Sequence, residues 1–399
     1  MLRPGWSSSR SEPPPLPCPL SKPLFAKNNA TLDLKRILVF RTGHLGDTLV
    51  AVPAFHALRS AFPNAEIAYL SSADQKNPQY VSSRDVLPAK GLFDDWISYP
   101  NTSDIRSLLR LAMKIRRKKF DAVFYMMTRY RTARQIDRDK LFFRFAGIRK
   151  VIGAEFVKRH NLPFEIPKPV PRIEKEGDFL IRLLRERGIV EPQLSFKPDL
   201  LLTAEERDTA LEWMRSKGIA DLSGPRIAVG PGSKWESKIW EEDRYARVVE
   251  RLIESHDVVP IIFGGPEDKV KGDRLIERWG RGANAAGELN VRHAAAALQT
   301  CVLYLGNDTG TMHLAAAVET PCVAMFSAVD WAGRFEPFGD QHILFRRTVE
   351  CEGCHSEICI NRDHRNKCLD LIAADGVLDA CVEVLERKQD GTQTATEMR

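Results

Sequence analysis

The chain has 399 residues, 43% apolar and 28% charged, with a net charge of +6. That is more than one core usually holds, so two packed domains are expected and a wholly disordered chain is excluded. No run of about 18 apolar residues occurs, which argues against a transmembrane helix. The Pro-rich start, SEPPPLPCPLSKP, lacks the apolar stretch of a signal peptide, so a cytoplasmic protein is expected.

In chain order, residues 1–33 are expected to form a disordered tail. RILVF (36–40) reads as a buried parallel strand. A helix is expected over 47–62 with Pro53 in its first turn. Strands follow at 67–70, 95–99 and 122–126, with a basic amphipathic helix at 105–118. Further helices are expected near 132–145, 174–187 and 204–217. A Pro-rich connector spans 163–171, and a second break at 221–225 marks the expected domain boundary. Beyond it come strands at 226–229, 258–263, 302–305 and 321–326. Helices are expected at 267–279, 291–298, 308–318 and 369–386, then a disordered tail at 389–399. Strands alternating with helices imply α/β domains built on parallel sheets, here 34–221 and 222–388. Two such domains in series leave a ligand cleft at the carboxyl ends of their strands.

Charge is uneven. Residues 101–160 carry 17 Lys/Arg against 5 Asp/Glu. Either these are solvated helix faces or the surface meets something acidic. The run KIRRKK (114–119) has no interleaved aromatics for base stacking, so an anionic membrane face is expected before nucleic acid.

Four clusters fall at strand-to-helix turns. RTGHLGD (41–47) places Asp47 at a helix start, as a capping carboxylate or as a general base facing the cleft. It is neither a dinucleotide fingerprint nor a P-loop. GPGSKWESKIW (230–240) offers Ser233 as a donor and Lys234 and Lys238 as cations for a phosphate, or else is a solvated Lys-rich loop. FGGPED (263–268) offers Glu267 or Asp268 to ribose hydroxyls, or a helix-start acid favoured by the dipole. GNDTGTMHLAAA (306–317) follows an apolar strand and opens an Ala-rich helix. Asp308, Thr309 and Gly310 sit at the helix mouth, where free N–H groups favour a phosphate, with Asp308 also the expected N-cap. His313 lies one turn on, on the same face.

Four of the eight cysteines, Cys351, Cys354, Cys359 and Cys368, share one stretch, CEGCHSEICINRDHRNKC, with His355 and His364. The clustering suggests a structural zinc site or a redox-sensitive knot, although the spacing is not a standard zinc pattern. The alternative is a loop of reduced thiols.

Taken in order over about 35–385, these motifs resemble glycosyltransferase family 9, the lipopolysaccharide heptosyltransferases. The Cys-rich stretch is also similar to one found in many members. The resemblance implies a GT-B fold of two Rossmann-like domains facing a cleft, acceptor on the first and nucleotide sugar on the second. It implies inverting transfer from a nucleotide-activated heptose, usually ADP-heptose, to a lipopolysaccharide core or similar surface glycolipid, with no metal required for catalysis. Asp47 would be the base, Lys238 would hold the diphosphate with Ser233 assisting, and Glu267 would lie near the ribose. Asp308, Thr309, Gly310 and His313 would line the diphosphate and sugar. Glu241 stands where the family often has Pro. The expected partners are the nucleotide-sugar donor, a glycolipid or glycan acceptor and a peripheral contact with the cytoplasmic face of the inner membrane, but no nucleic acid. The alternatives are a transferase using another nucleotide sugar for a different surface glycan, or a non-catalytic nucleotide-sugar-binding protein.

Overall fold

A computed structural model describes residues 32–73, 81–100, 104–361 and 366–397. The expected tail at 1–33 lies almost wholly outside the described residues, as does His364.

The first half comprises β1 (Arg36–Phe40), α1 (Leu45–Leu49), α2 (Val52–Ala61), β2 (Glu66–Ala73), α3 (Ser83–Val86), β3 (Asp95–Pro100), α4 (Ile105–Lys118), β4 (Ala122–Tyr125), α5 (Ala133–Phe145), β5 (Lys150–Ile152), α6 (Ala154–Arg159), α7 (Glu176–Glu186) and α8 (Ala204–Ser216). The second half comprises β6 (Arg226–Gly230), α9 (Glu242–His256), β7 (Val259–Ile262), α10 (Lys269–Trp279), β8 (Ala283–Asn284), α11 (Val291–Gln299), β9 (Leu303–Asn307), α12 (Gly310–Ala317), β10 (Cys322–Phe326), β11 (Ile343–Arg346), α13 (Lys367–Asp370) and α14 (Ala374–Glu397). The strands form two sheets, ordered β3-β2-β1-β4-β5 and β11-β10-β9-β6-β7-β8. Neighbouring strands run parallel in both, as in β1 against β2 and β4 and β9 against β6 and β10. The central strands are buried along their length because helices cover both faces.

The expected helix over 47–62 is two helices. Pro53 occupies the first turn of α2, where its missing N–H is not needed, and α1 ends ahead of it. The last expected helix is likewise interrupted, into α13 and α14. The carbonyl of Ile372 at the break is taken by Trp240 Nε1 (3.2 Å) and Arg244 Nη1 (2.8 Å). α14 then continues to Glu397, through most of the stretch whose composition reads as a tail. α8 precedes the expected boundary yet packs on the second half. Arg207 Nε donates to Gln299 (3.0 Å) and Trp213 Nε1 to Glu288 (3.0 Å). The turn at 221–225 marks a change of direction, and the packing changes earlier in the chain.

One apolar cluster runs from the first sheet and its helices through α11 and α12 to one face of the second sheet. A second lies between the other face of that sheet and α9 and α14. The halves are further joined by the Pro-rich connector and the residues that follow it. Ile173 N–H donates to Ala332 O (2.8 Å), Val170 N–H to Glu352 (2.9 Å), and Arg172 Nη1 to Glu336 (2.7 Å). Among the described residues, no helix is long and apolar enough to cross a membrane.

Candidate active site

β1 delivers the chain to Arg41, whose side chain is buried beneath the turn. Its Nε donates to Asp47 O (2.7 Å) and its Nη1 to Met126 O at the end of β4 (2.6 Å). Among the described residues, its Nη2 is buried without a hydrogen-bond partner. Gly43 has φ of +150°, and a Cβ there would stand 2.4 Å from Asp47 Cβ. Only glycine allows the turn to fold this tightly over the carboxylate. Asp47 lies in the first turn of α1, with His44 at the N-cap, and its Oδ2 accepts the His44 N–H (3.0 Å). The carboxylate thus steadies the helix start while remaining half-buried.

On the second sheet, Lys238 closes a 3-10 turn, Glu236–Lys238, and its Nζ lies 2.6 Å from Asp308 Oδ2, just beyond β9. Asp308 is therefore an ion-pair partner and not the expected N-cap. The N-cap of α12 is Thr309. Its extended backbone lets the chain leave β9 one residue later than the motif suggests. The Thr309 hydroxyl bonds Thr311 (2.8 Å), so no side chain caps the first turn of α12. The N–H groups at that mouth remain oriented for an anion.

Buried Asn307 joins these pieces. Its Oδ1 accepts Trp240 N–H (3.0 Å) and Tyr245 O–H (2.8 Å), and its Nδ2 donates to Gly232 O (3.2 Å). Ser233 Oγ accepts the Trp235 N–H (3.2 Å), tightening the same loop. Glu267 is exposed in the 3-10 turn Pro266–Asp268. It is Asp268 that turns inward against Gly232, accepting Gly265 N–H (3.1 Å). Burial, and then the charge of Glu267, raises the Asp268 carboxyl above its usual range.

The two sets of motifs meet. A Cβ on Gly310 would lie 2.7 Å from Leu45 Cδ2, and one on Gly46 3.1 Å from His313 Cδ2, so the mouths of α1 and α12 are in contact. The His313 ring is buried there beside Phe335 (6.3 Å between centroids). Burial lowers its pKa to about 4. Lys238 acts in the same direction, and the carboxylates of Asp308 and Asp47 oppose it. The imidazole is neutral at pH 7.

Next to Asp308 opens a cavity of about 530 Å³. Arg172 and Lys175, which follow the connector, line it, together with Ser327, Trp331 and Arg346. Among the described residues, Ser327 Oγ is buried without a protein partner. Behind the cavity an ion network bridges the halves. Arg129 pairs with Glu176 (3.0 Å), and Arg334 with Glu176 (3.5 Å) and Asp330 (3.1 Å), while Tyr130 O–H donates to Asp330 (2.7 Å). No motif announced these residues, because their partners lie far apart in the chain. The one signal was the Pro-rich connector that carries the chain toward them.

The Cys-rich stretch lies against the Lys238 turn. Ser237 Oγ donates to Ser356 O (2.6 Å), and Asn366 Nδ2 to Glu236 O (2.7 Å) and Ile239 O (2.9 Å). Cys351, Cys354, Cys359 and Cys368 are all free thiols, and Cys368 Sγ accepts the Ala328 N–H (3.3 Å). Among the described residues, no group of three or more His, Cys, Asp or Glu is arranged to hold a metal ion.

Known proteins share this architecture. Lipopolysaccharide heptosyltransferase 2 of Escherichia coli K12 is 25% identical over 315 residues, 73% of this chain and 82% of that one. The solved E. coli ADP-heptose LPS heptosyltransferase II superposes with a TM-score of 0.64 at 20% identity, over 89% of this chain and 99% of that one. The E. coli heptosyltransferase WaaC, solved with ADP-2-deoxy-2-fluoro heptose, gives a TM-score of 0.58 at 15% identity, over 87% and 99% of the two chains. Both structures share the fold of two parallel-sheet halves facing a cleft. Residues 108–364 match the description Glycosyltransferase family 9 (heptosyltransferase), and with more than half of its length inside that match the chain belongs to this family.

Proposed function

We propose that this glycosyltransferase moves a heptose from ADP-heptose to a sugar hydroxyl of a lipopolysaccharide core or similar surface glycolipid, with inversion at the transferred carbon. The observation that carries the proposal is the contact between α1 and α12, which puts the Asp47 turn of one sheet beside His313 and the Lys238–Asp308 pair of the other. A displacement of this kind needs a base on the acceptor side and positive charge on the leaving-group side.

In this proposal Asp47 takes the proton of the acceptor hydroxyl as its oxygen bonds the anomeric carbon. The bond from that carbon to the phosphate oxygen breaks, and ADP departs with the electron pair. Lys238 leaves Asp308 to meet the diphosphate, whose other oxygens face the N–H groups of Thr309 and Gly310 at the mouth of α12. Ser233 supports the diphosphate loop and Glu267 lies at the rim for the ribose. Neutral His313 donates or accepts a hydrogen bond to the sugar without adding charge. The transfer takes place at the cytoplasmic face of a membrane, where a soluble donor and a lipid-borne acceptor meet.

The test is Asp47→Ala assayed for transfer and, separately, for ADP binding by calorimetry. Transfer is expected to vanish with ADP affinity within about twofold of wild type, since Asp47 makes no diphosphate contact in this mechanism. Undiminished turnover would remove Asp47 as the base. A thermal-shift comparison of ADP, UDP and GDP separates the proposed donor from another nucleotide sugar, because only the matching nucleotide raises the melting temperature strongly.

A further inference from the structure

We propose that α4 and the outer face of α5 form a docking surface for the anionic headgroup layer of a phospholipid bilayer. α4 is a 14-residue helix with six basic residues and no acidic one. It is firmly placed. The Asp104 carboxylate accepts the N–H groups of Arg106 (3.2 Å) and Ser107 (3.0 Å) at its start, and Leu111, Ala112 and Ile115 bury its inner face. Its outer face sets apolar side chains among the charged ones. Ile105, Leu109 and Met113 follow one another at four-residue spacing and are 70%, 45% and 47% exposed. Neighbouring α5 adds Leu141 and Phe145, 69% and 53% exposed. The helices are tied at one end by Arg116 Nη1, which donates to Phe145 O (3.2 Å).

Arginines and lysines flank this apolar stripe. Arg106, Arg117, Arg144 and Arg149 form no ion pair among the described residues, and Arg110 bonds only Arg106 O and Ser107. An apolar stripe set among cations is the pattern by which a helix enters the headgroup boundary of an anionic leaflet. A second copy of the chain would bring like charge against like charge. A nucleic acid would need stacking platforms where Ile, Leu and Met stand. α4 follows β3 and α5 follows β4, so both helices begin at the carboxyl edge of the first sheet, the edge that carries Asp47.

The test uses the full chain without donor or acceptor, so its outcome is independent of the proposed transfer. Co-sedimentation is measured with phosphatidylcholine vesicles and with vesicles that also contain phosphatidylglycerol, at low and high salt. Binding is expected only with the anionic vesicles and should weaken as salt rises. Arg110→Glu with Arg117→Glu should weaken it by at least roughly tenfold. Leu109→Gln with Met113→Gln should abolish the part that survives high salt. All four positions are exposed, so melting temperature and ADP affinity should stay at wild-type values. Equal binding to both vesicle types, no binding to either, or variants that bind like wild type would each overturn the proposal. So would a duplex oligonucleotide bound in place of anionic vesicles and lost in the Arg→Glu variant.

Discussion

The pairing of Lys238 with Asp308 makes a prediction that separates holding the site together from holding the donor. The two side chains are 17% and 9% exposed and their charged atoms lie 2.6 Å apart. Lys238→Ala leaves a buried carboxylate without its cation and should lower stability by about 3 kcal/mol. Asp308→Asn keeps an acceptor for the ammonium and should cost about 1 to 2 kcal/mol. In the double variant neither charge remains, so its cost should fall short of the sum by about 2 kcal/mol. ADP affinity should follow a different order. Loss of a charge-assisted contact to the diphosphate in Lys238→Ala should weaken ADP about 30-fold, and the double variant should be no better. Asp308→Asn frees Lys238 for phosphate and should hold or raise ADP affinity. Urea unfolding gives the stabilities and calorimetry the affinities. Strictly additive stabilities would show that the pair does not hold the turn. Unchanged ADP affinity in Lys238→Ala would refute the diphosphate role, whatever the stability.

Three further outcomes follow from other parts of the molecule. Burial holds the His313 pKa at about 4, against about 6.5 in an unfolded chain, so the unfolded state takes up a proton that the folded state refuses. The stability from this group is complete above the unfolded value and falls away as pH drops toward 4, by about 3 kcal/mol in all. Urea unfolding at neutral and acid pH should therefore show a shallower acid loss in His313→Asn, and an identical acid slope would contradict the assignment. Gly333 has φ of +90° and a Cβ there would meet the Ile173 carbonyl oxygen at 2.1 Å, whereas Gly188 (φ +64°) has open space. Gly333→Ala should destabilise by about 3 kcal/mol and Gly188→Ala by about 1 kcal/mol, and equal melting temperatures would show that the connector is not pinned at Ala332. Elemental analysis of the purified chain separates the two readings of Cys351, Cys354, Cys359 and Cys368: one zinc per molecule would mark a structural site, and less than one would leave a loop of reduced thiols.

The strand-helix alternation and all four turn motifs were legible in the sequence because each depends on neighbours within a few residues. RILVF, LYLGN and CVAMF are apolar enough to be buried strands in any context, and Gly43 and Gly310 mark where the backbone turns after the first two. The basic helix at 105–118 was found to the residue for the same reason: its amphipathic periodicity is local. Local signals also misled. The GNDTG string made Asp308 a cap, whereas a lysine 70 positions earlier takes that carboxylate and leaves Thr309 at the helix start. α9 carries a buried apolar face, yet its many charges hid it.

By itself, then, the sequence determined two α/β halves, the order of their turns, and which carboxylates, cations and imidazole stand at those turns. Only the tertiary structure decided that α1 rests on α12, that Asn307 ties the Lys238 loop to β9, and that Arg129, Glu176, Asp330 and Arg334 bridge the halves. The physical reason is range. Backbone propensity and apolar periodicity act over one or two turns of chain, while a buried charge is tolerated only where the fold brings its partner, and no local pattern specifies where that partner lies.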